Sequence, residues 1–491
     1  MINRNFVFFF FLSSLIVCIS CNNDDAIPDS NVDDDKPAEE PVVFGVETDD
    51  SVVPYLVINT SGIRIENEPK IPATLSVYVE KELVQEQTIG IEYRGSTSFR
   101  ISDKKSFGIE TWDETGEDVD VSFFNMPEEE DWVLIGHVFN EEGNFAFDRT
   151  LLYHYIGYNW SRSIGRYASR MQLVEVEING EYLGVYLFGE KMKRDGDRID
   201  ISRLNGDDVN ISGGYILKID KTAGGDHTIG QPLHYYLSNW QDDALYTEQN
   251  SFRSHFDIFG DSIALFPYEP PYHPDQYLET YFQYEYPSAD DITEDQKEYI
   301  ADYIYNFEKA LLTDDFTTAT RTYTDYIDVG SFVEYLLLTE LTRNVDAYRI
   351  STYLQKDKDG KLAMGPIWDL NIGYDNGDRI PLDAWVYNYN LYVQQDAWMV
   401  PFWWPRLMSD PQFKAVVKAK WEELRAGPLS TAVLLRSIDE SAGFLIENGA
   451  IERNYNRWRL DEGVDYVAAV AALKEYVEFR SNWMDGVISS F

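Results

Sequence analysis

Leu341–Asn376 reads LTRNVDAYRISTYLQKDKDGKLAMGPIWDLNIGYDN, and the fold turns on this stretch. Before it, Asp328 opens an apolar run with Phe332, Val333, Leu336, Leu337 and Leu341 at helical spacing, which predicts a helix ending near Arg343-Asn344. Asp346 follows in a loop. Ser351 to Gln355 and Lys361 to Ile367 are short apolar runs on either side of Lys358-Asp359-Gly360-Lys361, and Asp-Gly between such runs signals a two-residue hairpin. A hairpin closed there pairs residues whose numbers sum to 719, which sets Asp369 opposite Ile350, four residues from Asp346. Two carboxylates, with Asp375 close behind, then meet at one hairpin mouth. One can hold a divalent cation through hard oxygen ligands while the other accepts the proton of an attacking hydroxyl. The competing reading is a solvated hairpin end, because 85 residues are Asp or Glu. A calcium loop fits poorly, since Gln355 and Pro366 would stand at its first and twelfth positions.

Upstream the pattern is β. Tyr55 to Ile58, Ala73 to Val79 and Ile89 to Tyr93 are β-rich runs bounded by Pro, Asn and Gly, and Lys105, Phe107 and Ile109 share one side of a further strand. Phe145 to Trp160 reads as a helix. Met171 to Ile178 and Tyr182 to Phe188 are strands joined at Asn179-Gly180, a strong hairpin turn, and Tyr215 to Ile219 follows Gly213-Gly214. Residues 221–288 read as a long irregular insertion rich in aromatics, Pro and His. Downstream the pattern is helical. Thr293 to Gln296 forms a capping box ahead of Ile300, Tyr303, Ile304, Phe307 and Leu311. Asp410-Pro411 starts a helix with Phe413, Val416, Val417, Trp421 and Leu424 inward, ended by Gly427, and a last helix begins near Asp465. Strands first and helices second predict an α+β fold of two lobes.

The 491 residues carry a formal charge of −44, which argues against nucleic acid as a partner and against a polybasic membrane contact. At 44% hydrophobic and 15% aromatic the chain is too apolar for a solvated polymer. Phe6 to Ile19 is apolar apart from Ser13 and Ser14, follows Arg4, and is 14 residues long, the length of a signal h-region and too short to span a bilayer. Cys18-Ile19-Ser20-Cys21 resembles a bacterial lipobox, with Leu more usual at the Cys18 position. Cleavage before Cys21 and acylation of its sulfur would leave no free thiol, excluding thiol catalysis and Cys-ligated zinc. Residues 22–40 hold eight Asp/Glu and one Lys, a disordered acidic tether. Such acids after a lipidated Cys resemble a surface-export signal. The expected organisation is a signal peptide over 1–20, a tether over 21–41 and a folded domain over 42–491, with an N-lobe to about 220 and a helical C-lobe from 289.

The chain resembles the spore-coat protein H (CotH) family of atypical kinases. The resemblance rests on short motifs in order between about residues 50 and 380: Arg94-Gly95-Ser96, Lys104-Lys105, Asp131-Trp132-Val133-Leu134, Asp148-Arg149, Asn179 to Tyr186, Glu190, Asn344-Val345-Asp346 and Gly365 to Asp369. It implies a kinase-like fold that transfers a phosphoryl group from ATP, with Mg²⁺ or Mn²⁺, to Ser or Thr of a protein. The element order agrees: strands, lysine, helix, two strands, helix, loop acid, hairpin, second acid. On this resemblance Asp346 orients the substrate hydroxyl and Asp369 binds the metal. Lys105 (or Lys104) neutralises the ATP phosphates, Asp148 pairs with that lysine, and Glu190 sits at the adenine hinge. Two departures stand out. Ser351 occupies the place of the Asn that follows a kinase catalytic Asp by five residues, so that metal ligand is weaker or replaced by Asn371. No Gly-x-Gly-x-x-Gly loop occurs, and Arg94-Gly95-Ser96 takes over its work.

Eight aromatics between Trp385 and Trp404 suit either core packing or a stacking surface. Lys191-Met192-Lys193-Arg194 reads as a solvated strand end. His-Glu-x-x-His, Gly-x-Ser-x-Gly and Walker motifs are absent from the sequence. Two functions follow: an exported, surface-displayed outer-membrane lipoprotein kinase anchored through Cys21 and acting on a protein or peptide, a basic one by charge complementarity, or a non-catalytic surface lipoprotein that binds a glycan or protein partner.

Overall fold

The computed structural model describes residues 52–222, 245–268, 276–375 and 379–491. The expected signal peptide and tether lie outside them, as does much of the insertion. Phe44–Phe491 forms one compact unit. Its elements run β1 (Tyr55–Asn59), β2 (Ile71–Val79), β3 (Glu82–Arg94), α1 (Thr97–Ile101), β4 (Ser106–Trp112), β5 (Asp131–Gly136), β6 (Phe139–Asn140), β7 (Phe145–Ala146), α2 (Tyr153–Ser163), β8 (Met171–Ile178), β9 (Glu181–Glu190), β10 (Tyr215–Ile219), β11 (Ser251–Arg253) and β12 (Tyr281–Tyr286). They continue with α3 (Glu294–Leu312), α4 (Val329–Thr342), β13 (Thr352–Lys356), β14 (Leu362–Met364), α5 (Tyr389–Tyr392), α6 (Trp403–Leu407), α7 (Pro411–Arg425), α8 (Thr431–Glu447), α9 (Ala450–Arg457) and α10 (Tyr466–Ile488). The fold is α+β, β-rich first and helical toward the C-terminus, as expected.

The N-terminal strands close into a barrel in the order β1-β2-β3-β4-β5-β9-β8, sealed by parallel pairing of β1 with β8. Period-2 alternation fills it: Leu75 and Val77 of β2, Ile89 and Ile91 of β3, and Phe107 and Ile109 of β4 point into one apolar core. β5, β8 and β9 bury their other face as well. Val133, Leu173, Val185 and Leu187 join the main core with α2 and the C-terminal helices. At the β8–β9 hairpin both Asn179 (φ 52°) and Gly180 (φ 83°) are left-handed, as a type I′ turn requires.

A second sheet, β11-β12-β10-β13-β14, carries the hairpin. Its register is 718, not 719, because Leu354 pairs with Met364 and Lys356 with Leu362. Five residues, Asp357 to Lys361, therefore form the connection, and Asp359 (φ 56°) takes the left-handed position inside it. Pairing stops at Met364, so Asp369 reaches the site through a separate loop. The insertion is also less irregular than expected, since β12 pairs with β10 and β11. The helix expected over Phe145–Trp160 is confined to α2. Phe145–Ala146 pairs with β6 instead, and the Asp148 carboxylate binds the backbone N–H groups of Thr150, Leu151 and Tyr153, holding a non-helical turn before α2 begins.

Side-chain caps set the C-terminal helices. Thr293 and Gln296 complete their capping box on α3, Asp328 accepts from Gly330 and Ser331, Asp410 accepts from Gln412, and Asp465 accepts from Ala468. Val416 of α7, expected to face inward, is 43% exposed. Glu308 of α3 joins the insertion to α6, bonding Ser254 Oγ (2.8 Å) and Trp403 Nε1 (2.9 Å). Burial pushes its carboxyl from an ordinary 4.5 up to about 8. Between those values the unfolded chain loses a proton that the folded one keeps, so this group makes stability fall as pH rises. Glu308→Gln is expected to flatten that slope and to raise the thermal midpoint at about pH 9 by roughly a few degrees, with little change at about pH 5, measured by calorimetry.

Candidate active site

A cleft of about 370 Å³ runs between the barrel and the helical region. Its walls are the end of β3 with the Arg94–Ser98 turn, the β4–β5 face and α2. Its floor is the loop after α4 and the segment after β14. Asp346, Ser351, Asp369 and Asn371 all line it.

The two acids meet for a local reason. α4 ends with Arg343 in the left-handed conformation (φ 47°), which turns the chain into the Asp346 loop. Asn344 Nδ2 then donates to Trp368 O (3.1 Å) and Asp369 O (3.0 Å), binding the two acid-bearing segments together. Arg343 Nη1 donates to Tyr374 O (2.8 Å), fixing the far end of the second segment. Asp369 itself has φ 51°, a conformation held by this network.

Asp346 is well buried, with a side chain 14% exposed. Arg349 Nη2 lies 2.5 Å from its Oδ1, and Arg379 Nη1 is 4.0 Å away. Burial raises its carboxyl above the usual range, Asp369 adds to this, and Arg349 opposes it. Asp369 has a different neighbour, His154 of α2, whose Nε2 is 3.5 Å from Oδ1. Asp375 is engaged outside this pair, accepting from Tyr153 Oη at 2.6 Å.

Other expected site residues take different places. Arg94 lines the cleft, with its guanidinium 5.5 Å from the Trp368 ring, and Gly95 beside it has φ +96°, a backbone conformation that favours glycine. Lys105 is not among the cleft-lining residues. It precedes β4, and its Nζ donates to Phe99 O and Ser102 O (both 2.7 Å), closing the end of α1. Lys104 is buried between barrel and α9, donating to Val185 O and Asn454 Oδ1 (3.0 Å). Asp148 lines the cleft, but its oxygens serve the turn before α2, with His137 Nδ1 3.9 Å away, rather than a lysine. Glu190 is fully buried and bound by Arg170 Nη1 (2.5 Å), Arg170 N (2.8 Å) and Tyr167 Oη (3.2 Å), away from the cleft.

The cations that do line the cleft include Lys70, Lys191 and Lys221. Lys70 lies 3.6 Å from Glu92 and 3.4 Å from Glu110, and Lys221 Nζ donates to Thr97 Oγ1 at 2.8 Å. Lys221 also acts electrostatically on Asp346. Neither Lys70 nor Lys221 stands in a motif that marks it in the sequence. In the run Lys191–Arg194, Lys193 is not solvated as expected but bridges Glu129, Glu130 and Asp131 at 2.6–3.0 Å. The aromatic run is mostly core, with Trp403, Trp404 and Tyr389 at or below 1% exposed, while Trp398 lines the cleft. His154 was visible only as a lone His in an apolar helical run after Asp148-Arg149.

This donor set suits the reactants of phosphoryl transfer. Carboxylates with an imidazole can hold a divalent cation, and Arg94 with Lys221 can face polyphosphate. A family model described as CotH kinase protein matches residues 91–484, most of the chain. No curated protein matches it.

Proposed function

The chain belongs to the CotH kinase family, and from that premise we propose that it transfers a phosphoryl group from ATP to a hydroxyl of a protein substrate. The observation that carries this reading is the binding of the Asp346 and Asp369 segments by Asn344 on the floor of one cleft.

ATP with a divalent cation supplies the phosphoryl donor and the charge neutralisation that such transfer needs. Asp369 holds the cation. Asp346 orients the substrate hydroxyl and accepts its proton, and a carboxyl raised by burial suits that task. Arg349, 1% exposed and anchored on Val345 O (2.9 Å) and Trp398 O (3.1 Å), keeps Asp346 in one orientation. Arg94 and Lys221 take the phosphate-facing role that Lys105, committed to α1, is poorly placed to fill. The net charge of −44 favours a basic peptide as substrate. Export, lipid anchoring at Cys21 and display on the outer membrane complete the proposal, and they rest on the N-terminal sequence.

The test is thermal stabilisation of the purified chain by ATP with Mn²⁺ or Mg²⁺. The wild type is expected to shift upward with nucleotide and metal together, and Asp369→Ala to lose the metal-dependent part. A folded wild type that neither shifts nor transfers phosphate would overturn the proposal.

A further inference from the structure

Asp369 and His154 come from elements 215 positions apart in the chain, yet they face each other in the cleft. The His154 side chain is 7% exposed, and its Nδ1 is buried with no hydrogen-bond partner. Its Nε2 is 3.5 Å from Asp369 Oδ1. That separation is long for an N–H···O hydrogen bond, which clusters near about 2.9–3.0 Å. It lies just above the separation of a nitrogen and an oxygen bound to one ion, since two bonds of about 2.1 Å at right-angled to tetrahedral openings put their donors about 3.0–3.4 Å apart, and a small side-chain shift closes the difference. The oxygen donors nearby are Ser351, a weaker ligand where a carboxamide is expected, and Asn371, which also lines the cleft.

From these observations, and resting on Asp369 as the metal-binding acid of the proposed function, we propose that His154 is a nitrogen ligand of the divalent cation and makes the site prefer Mn²⁺ and Co²⁺ over Mg²⁺. Mg²⁺ takes oxygen donors and keeps its waters, so an imidazole gives it little. Transition-metal ions gain from nitrogen in the Irving–Williams order, Co²⁺ more than Mn²⁺. α2 supplies this ligand from a rigid element: its first turn is fixed by the Asp148 carboxylate on Tyr153 N (2.8 Å) and by Tyr153 Oη on Asp375 (2.6 Å). A histidine that only hydrogen-bonds Asp369 from outside the coordination sphere would behave differently, because its loss weakens every metal together.

The experiment measures metal binding, not turnover. Mn²⁺ binding to the full chain is followed by electron paramagnetic resonance, with Mg²⁺ as competitor, and Co²⁺ binding by its visible absorption bands. The wild type is expected to bind Mn²⁺ at least about tenfold more tightly than Mg²⁺, and His154→Gln to lose about tenfold in Mn²⁺ affinity while Mg²⁺ affinity stays within about twofold. The Co²⁺ bands are expected to shift in the variant. Equal loss of both affinities, or an unchanged Mn²⁺ to Mg²⁺ ratio, would overturn the proposal while leaving the kinase reading intact. A folded wild type that binds none of the three ions, with or without ATP, would overturn both. His154→Asn, which keeps a polar side chain in the buried position, guards against loss of fold as the cause.

Discussion

Asp346→Asn is expected to lower phosphoryl transfer by a factor of about 10²–10⁴ while ATP and metal still bind. Asparagine keeps an oxygen that can accept from Arg349, and Arg349 has further anchors on Val345 and Trp398, so the loop has no reason to move. What disappears is the ability to take a proton, which is needed only when the hydroxyl attacks. Asp369→Ala should act on binding itself. The pair thus separates two roles that one cleft combines. Steady-state turnover with a generic basic protein, read beside nucleotide thermal shift, checks it, and an Asp346→Asn enzyme with undiminished turnover would remove Asp346 from the chemistry.

Arg480→Ala is expected to cost the fold about 3–5 kcal/mol, because it strands a buried charge. Arg480 of α10 and Glu340 of α4 are both 0% exposed and 3.0 Å apart. Arg480 also donates to Glu340 O, Leu382 O and Ala384 O at 2.7–2.8 Å. Glu340 in turn accepts from Val386 N (2.7 Å), Tyr387 N (3.0 Å) and Tyr348 Oη (3.1 Å). Burial raises the Glu340 carboxyl and Arg480 opposes that rise, so alanine leaves the acid to protonate or to remain charged without its cation. The urea midpoint should fall accordingly. Arg480→Met with Glu340→Leu should recover only part of the loss, since it removes both charges but leaves Val386 N, Tyr387 N and the Leu382 and Ala384 carbonyls without these partners. Tyr348 stands two residues after Asp346, so the single variant should also loosen the loop that carries that acid.

The sequence was most legible where structure is decided by neighbours in the chain. Thr293 with Gln296, Asp328, Asp410 and Asp465 announce helix starts because each cap is made within a few residues. Asn179-Gly180 announces its hairpin because both residues accept positive φ. Asp346 and Asp369 were legible as a pair through the intervening hairpin, although the register moved by one and the loop beyond Met364 did the final placement. The lysines that line the cleft were not legible. Strand parity assigned Lys105 to the face of Phe107 and Ile109, but that face points into the barrel core, and a residue just before β4 is free to turn away and cap α1. Glu190 failed for a similar reason: a strand end looks open in the sequence, yet Arg170 and Tyr167 fold over it. Lys70, Lys221 and His154 reach the cleft only through tertiary packing, which no local pattern encodes.

The ring of strands sets the true extent of the folding unit. The family match begins at Ile91, inside β3, yet β1 and β2 come before it and β1 seals the ring against β8. A chain trimmed to the matched segment would lose two staves and most of a third. β8 and β4 would then present unpaired amide ladders to solvent, and the core lined by Leu75, Ile89 and Trp132 would stand open on one side. Such a fragment would self-associate through those ladders before it could offer a cleft to any substrate, so the matched segment of this chain falls short of the unit that folds.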